Sequence, residues 1–174
     1  MKAKNTTLFM STRLIPLTRG LSAIVDAADY EWLSQWKWCI NKGSAATTFY
    51  AVRNAANNET INNKHVLIAM HRAIIGLTVA DRRYVDHVDG NGLNNVRSNL
   101  RIATPSENGC NDGIKRNNTS GYKGVSWYKG KWRAAIVKNR KWKHLGLFAT
   151  KEEAYAAYCA AAKILHGKFA NIGK

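Results

Sequence analysis

Acidic residues are scarce in this chain: 11 aspartates and glutamates face 27 lysines and arginines across 174 residues, a formal charge of +16. Long apolar runs are lacking too. None approaches the about 20 residues that cross a bilayer, and the N-terminus shows no charged segment, apolar core and cleavage site in succession. These two absences set a membrane aside as the covering polyanion and leave nucleic acid, with an intracellular, soluble protein as the expectation. Cysteine is sparse, and Cys39, Cys110 and Cys159 lie far apart with no C-x-x-C pair. That excludes a disulfide framework and a cysteine zinc site, so all three read as buried or idle thiols.

Apolar residues, by contrast, are not short. A hydrophobic content of 45% argues for a folded chain rather than a basic tail. The length suits one ordinary domain or two to three very small ones, each with a limited core. After a loose lead-in of ten residues, positions 14–25 read as a hairpin turning at Arg19-Gly20, followed by a helix with Asp26 as its N-cap and Tyr30, Trp32, Leu33 and Trp36 along it. Trp38-Cys39-Ile40 and Phe49-Tyr50-Ala51-Val52 read as strands around a Gly43-Ser44 turn. The aromatics here read as a small core, with a base-stacking platform as the lesser alternative. Residues 65–70 read as a strand and 71–77 as a short helix.

The chemistry concentrates in Tyr84-Val85-Asp86-His87-Val88-Asp89-Gly90-Asn91, continuing through Asn94-Asn95 to Asn99-Leu100-Arg101 and Glu107-Asn108. Hydrolysing a phosphodiester needs a base to activate water, a cation to stabilise the developing charge, and donors that hold both in line. Asp86, His87, Asn99 and Asn108 supply those types. Neighbours on a strand face opposite ways, so Asp86 and His87 share one cation only if the backbone bends, and Asp89-Gly90 offers a bend. One carboxylate and one amide suit a hard ion, Mg²⁺ with Mn²⁺ as the alternative, rather than zinc.

This text, D-H-x-D-G-N…N-N…S-N-L-R…E-N, resembles the ββα-metal fold of His-Asn-His endonucleases, most nearly the phage and intron-encoded homing nickases. The resemblance implies His87 as general base, Asn99 as the residue that orients it, and Asp86 with Asn108 as metal ligands. His71-Arg72 resembles a His-Arg pair preceding the motif, which implies a structural or phosphate-contact role; Arg72 and Arg101 are counted as DNA contacts. The rival reading of the Asn-rich stretch is turn chemistry alone.

The last 54 residues carry 12 lysines and arginines against Glu152 and Glu153, a net +10. They read as strands over 122–128, 131–137 and 141–148 and a helix over 151–166, with Thr150 and Glu153 as a capping box and Gly167 as the stop. Alternation turns Trp132, Ala134 and Ile136 to the helix and Lys131, Arg133, Ala135 and Val137 away from it. Trp127 and Trp132 read as core, whereas Trp142 has outward parity. Tyr122-Lys123-Gly124-Val125, Gly130-Lys131-Trp132, Leu145-Gly146-Leu147-Phe148, Glu152-Glu153-Ala154 and Ala170-Asn171 resemble the APETALA2-type domain of plant ethylene-response factors. That implies a DNA face of Lys123, Ser126, Tyr128, Arg133, Trp142 and His144, with Lys131 on the same basic side. Ser126 and Val137 stand where the plant domains carry arginine.

The expected fold is therefore α+β: an N-terminal α+β region over 1–61 supporting the nuclease, a ββα-metal nuclease motif over 62–116, a linker at 117–121, and a C-terminal three-stranded antiparallel sheet packed on one helix over 122–174. The expected function is a metal-dependent DNA endonuclease, a site-preferring homing enzyme or nickase acting on double-stranded DNA. A single active site points to a monomer, and nothing asks for a small-molecule cofactor. The alternatives are a DNA-binding regulator with a degenerate nuclease fold and an RNA-binding or nucleoid protein.

Overall fold

A computed structural model describes residues 11–42, 48–59 and 66–173. The lead-in, the Gly43-Ser44 turn and the start of the strand expected at 65–70 lie outside the described residues. The chain forms two compact units, 1–101 and 102–174.

The first unit opens with β1 (Thr12–Pro16) and β2 (Ser22–Asp26), an antiparallel hairpin in which Thr12 faces Asp26 and Pro16 faces Ser22. Helix α1 (Ala27–Ser34) follows, ending before Trp36. Asp26 stands at its N-cap but makes no side-chain cap bond; its carboxylate instead accepts the Arg97 N–H at 2.8 Å. A second sheet runs β3 (Cys39–Asn41), β4 (Tyr50–Asn54) and β5 (Leu67–Ala69) in that order, all antiparallel. Short α2 (Met70–Ile75) closes on Gly76, whose φ of 77° is the left-handed stop that glycine adopts without strain. Strand β6 (Tyr84–His87) then pairs with β7 (Leu100–Ala103), whose first two residues belong to this unit.

Ile15, Val25, Leu33, Trp38, Met70 and Leu100 form the core of this unit, each burial contributing roughly 1.5–3 kcal/mol. The aromatic-rich stretch is thus core in part. Trp38 is buried and donates Nε1–H to the Leu33 carbonyl at 2.8 Å, while Trp36 is exposed and carries the Arg53 guanidinium 4.0 Å over its ring.

In the second unit α3 (Pro105–Asn111) begins with a capping box. Thr104 Oγ1 accepts the Glu107 N–H, and the Glu107 carboxylate accepts the Thr104 N–H. The three-stranded antiparallel sheet has the order β10-β9-β8, formed by β8 (Val125–Tyr128), β9 (Lys131–Lys138) and β10 (Lys141–Phe148). It packs on α4 (Lys151–His166), which starts with the Thr150–Glu153 capping box and ends at Gly167. Ala134 and Ile136 meet Ala154, Tyr158 and Ala162 in the core.

Within residues 117–121, the expected linker, Ser120 is buried and its hydroxyl donates to the Tyr122 and Val125 carbonyls. One expectation needs correction. Trp127 has the parity of the helix side yet is 57% exposed, on the edge strand β8, with Trp132 5.0 Å away edge-on.

Candidate functional site

In the first unit the motif folds as a strand, an amide-rich loop and a second strand. Gly90, at φ 74°, makes the turn, donating its N–H to the His87 carbonyl at 2.9 Å. The bend therefore follows His87 instead of separating it from Asp86. Both residues are buried, at 5% exposure each, and by strand alternation they leave opposite faces of β6.

Asp86 meets Arg101: Oδ2 accepts from Nε at 2.8 Å and Nη2 at 2.6 Å. His87 meets rings and amides. Its imidazole lies 5.0 Å from that of His71, edge-on, and 5.8 Å from the Tyr50 ring, and Nε2 is 3.4 Å from Asn95 Oδ1. Burial holds the His87 pKa below its ordinary value, against the opposing pull of Asn95, Asp89 and Asp86. His71 is driven down to about 3, chiefly by burial, then by His87 and Arg72, so it is neutral in any ordinary buffer.

Asn99 acts on the loop. Its Nδ2 donates to Asp89 Oδ1 at 2.9 Å and the Asn94 carbonyl at 2.8 Å, and its Oδ1 accepts the Asp89 N–H at 3.0 Å. Asp89 also binds the Asn91 N–H and the Asn94 amide, which together hold its carboxyl below the usual range against the raising effect of burial. Gly92 lies on Tyr50, and a Cβ there would come within 2.7 Å of that ring. Sequence reasoning passed over Asn95, which is wholly buried, and over Tyr50; the signal for Asn95 was its place in the doubled Asn94-Asn95 pair.

The sequence puts Arg72 and Arg101 on DNA, but the structure uses both internally. Arg72 donates to the Thr78, Asp81 and Arg83 carbonyls and so gathers the loop that delivers β6. The Arg101 side chain is 14% exposed beside Asp86. Asn108 stands on α3 in the second unit, its N–H donating to the Thr104 carbonyl at 2.9 Å, with its place in the first turns set by the capping box.

Asp86 is a buried carboxylate of the kind a hard divalent ion takes, but its Oδ2 is held by the Arg101 guanidinium, which competes with a cation there. Among the described residues no three His, Cys, Asp or Glu side chains gather as a ligand group.

On the second unit's sheet, the face away from α4 carries six of the expected DNA residues. Arg133 lies between Tyr128 and Trp142, with its guanidinium 4.9 and 5.5 Å from their ring centres, and donates to Ser126 Oγ at 3.1 Å. Trp142, 55% exposed, stacks with His144 at 5.8 Å. Lys131 is exposed at the start of β9, beside Tyr128 in register. Lys123 departs from this group: its ammonium donates to the Cys110 and Asp112 carbonyls at the end of α3, where a cation complements the helix dipole.

Comparison with known proteins is informative on family. Over 91 residues the chain is 40% identical to Protein 3.8 of Escherichia phage T7, an alignment covering 50% of this chain and 73% of that protein. The chain belongs to the family of that phage protein. Over 156 residues it is also 29% identical to a protein of Acanthamoeba polyphaga mimivirus named an uncharacterized HNH endonuclease, covering 87% of this chain and 74% of that relative. No family profile and no solved structure matches. No helix among the described residues is long and apolar enough to cross a membrane.

Proposed function

We propose that the chain is a metal-dependent DNA endonuclease of the His-Asn-His type, a homing enzyme or nickase, with His87 as general base. The observation that carries this reading is the buried imidazole of His87 between the His71 and Tyr50 rings, beside a loop braced by Asn99. The mimivirus relative named an HNH endonuclease, aligned over 87% of this chain, supports it.

His87 takes one proton from water as the water oxygen bonds to phosphorus. The P–O ester bond breaks and the departing oxygen leaves with the electron pair, to be protonated by solvent; the imidazolium then returns its proton to solvent. Asp86 would hold the divalent ion, Mg²⁺ or Mn²⁺, which supplies charge stabilisation on the phosphate and leaving oxygen. Asn99 sets the loop that frames His87. The sheet face of Ser126, Tyr128, Lys131, Arg133, Trp142 and His144 holds duplex DNA in the manner of an APETALA2-type domain, giving site preference.

The test is conversion of supercoiled plasmid to nicked circles with Mg²⁺. Wild type converts; His87→Ala binds DNA and slows conversion by about 10²–10⁴-fold, and normal cleavage by that variant overturns the mechanism. The Arg101 guanidinium on Asp86 favours a second reading, a non-catalytic DNA-binding regulator. Tight, salt-sensitive binding with no cutting across Mg²⁺ and Mn²⁺ decides for it.

A further inference from the structure

Exposed apolar side chains gather on one surface of the second unit. On the sheet face away from α4, Val137 is 52% exposed and Leu147 44%, beside the exposed rings of Tyr128 and Trp142. Register sets their places: Leu147 pairs with Arg133, and Val137 pairs with Trp142. Val137 lies four residues along β9 from Arg133, about 13 Å of strand.

Cations stand at both ends of this patch. Lys129 and Lys131 are exposed at the β8–β9 turn, with the Lys129 ammonium 5.5 Å from the centre of the Tyr128 ring, and Arg140 and Lys141 are exposed at the β9–β10 turn. An apolar middle between cationic ends complements duplex DNA, whose phosphates flank a major groove floored by base edges. In the middle, Arg133 turns Nε and Nη2 onto Ser126 Oγ at 3.3 and 3.1 Å, so one side of its donor fork is already spent. Valine and leucine form no hydrogen bond to a base edge. What the major groove offers them is the C5-methyl group of thymine.

We infer that Val137 and Leu147 are specificity-determining residues that pack against thymine methyl groups, an assignment that rests on the sheet being the DNA face proposed above. Leu147 addresses a thymine beside the base pair under Arg133, and Val137 addresses a second thymine farther along the site.

The experiment uses the full chain without divalent metal, so that binding is read apart from cutting. Duplexes recovered from a randomised pool are sequenced, and each thymine of the preferred one is replaced in turn by deoxyuridine, which pairs as thymine does and lacks only the methyl. Wild type is expected to lose about three- to fivefold in affinity at two or more positions, the effect of exposing one buried methyl. Val137→Ala removes the sensitivity at one of these positions and Leu147→Ala at another, with Tm unmoved because both side chains are exposed. A preferred duplex without thymine, equal binding of thymine and deoxyuridine at every position, or sensitivity that persists in both variants overturns the assignment. A wild type that dimerises, with Val137→Ala and Leu147→Ala monomeric and unchanged in DNA affinity, also overturns it and makes the patch a contact between copies. Arg133→Ala and Trp142→Ala test the underlying DNA face separately: if both bind the preferred duplex as wild type does, that face lies elsewhere.

Discussion

The two units use their positive charge in opposite ways. In the first, Arg53, Arg72 and Arg101 are drawn onto Glu59, three carbonyls and Asp86, and Arg97, itself half exposed, is tied to buried Asp29. In the second, Lys131, Lys141 and Lys143 stay exposed on the sheet, and Arg133 lies on its outer face among aromatic rings. A guanidinium with a planar fork of donors can tie a short-stranded unit together where ammonium groups could not. What the contrast teaches is that +16 overstates the charge available to a polyanion, and that the second unit supplies more of it.

The sharpest way to break the contrast is to remove one arginine from each unit. Arg101→Met leaves the buried Asp86 carboxylate without its guanidinium and should lower unfolding free energy in urea by about 3–5 kcal/mol. Arg133→Ala should change stability by less than about 1 kcal/mol while weakening DNA binding; equal stability losses would erase the distinction. Next in size, Trp142→Ala should reduce DNA affinity by about tenfold with Tm unmoved, as expected for an exposed ring that stacks on or packs against its ligand. A fall in Tm would place Trp142 in the fold rather than the interface.

Acid should affect the first unit through His71. Its folded pKa, about 3, lies below the ordinary 6.5. Between those values the unfolded chain binds a proton that the folded chain refuses, so this contribution is complete above about pH 6.5 and is lost as pH falls toward 3. His71→Phe should flatten the decline of Tm between pH 7 and 4. An unchanged slope would mean the folded imidazole titrates normally. The smallest effect sharpens the other side: Lys131→Gln should lower the slope of log affinity against log salt by about 1, with stability unaltered.

Much of this architecture was legible. The α4 boundaries follow from Thr150, Glu153 and Gly167, and strand alternation sorts the faces of β9 correctly because a period of two has one solution once Ile136 is inside. The extended run from Leu100 was equally readable, whereas the bend expected to bring Asp86 and His87 together falls after His87. What local pattern could not show is where long side chains end. Arg72, Arg101 and Lys123 look like phosphate contacts by charge alone, and each is claimed by an acceptor inside its own unit: Arg72 by carbonyls up to 11 positions away, Arg101 by a carboxylate 15 away, Lys123 by carbonyls up to 13 away. Asp26 illustrates the same limit, since a residue well suited to cap its own helix is bound instead by Arg97, 71 positions along the chain. Asn95 was hidden because its importance lies in what faces it.

Gly92 sets a condition on all of this. The loop can descend onto the Tyr50 ring only while that position bears no side chain, since even an alanine methyl would collide with both the ring and the Phe49 carbonyl. Variation at residue 92 is thus closed, whereas Gly90 two positions earlier has open space around it and is restricted by backbone angle alone. A library randomised across this loop should return active clones with diversity at 91, asparagine or aspartate at 90, and glycine throughout at 92.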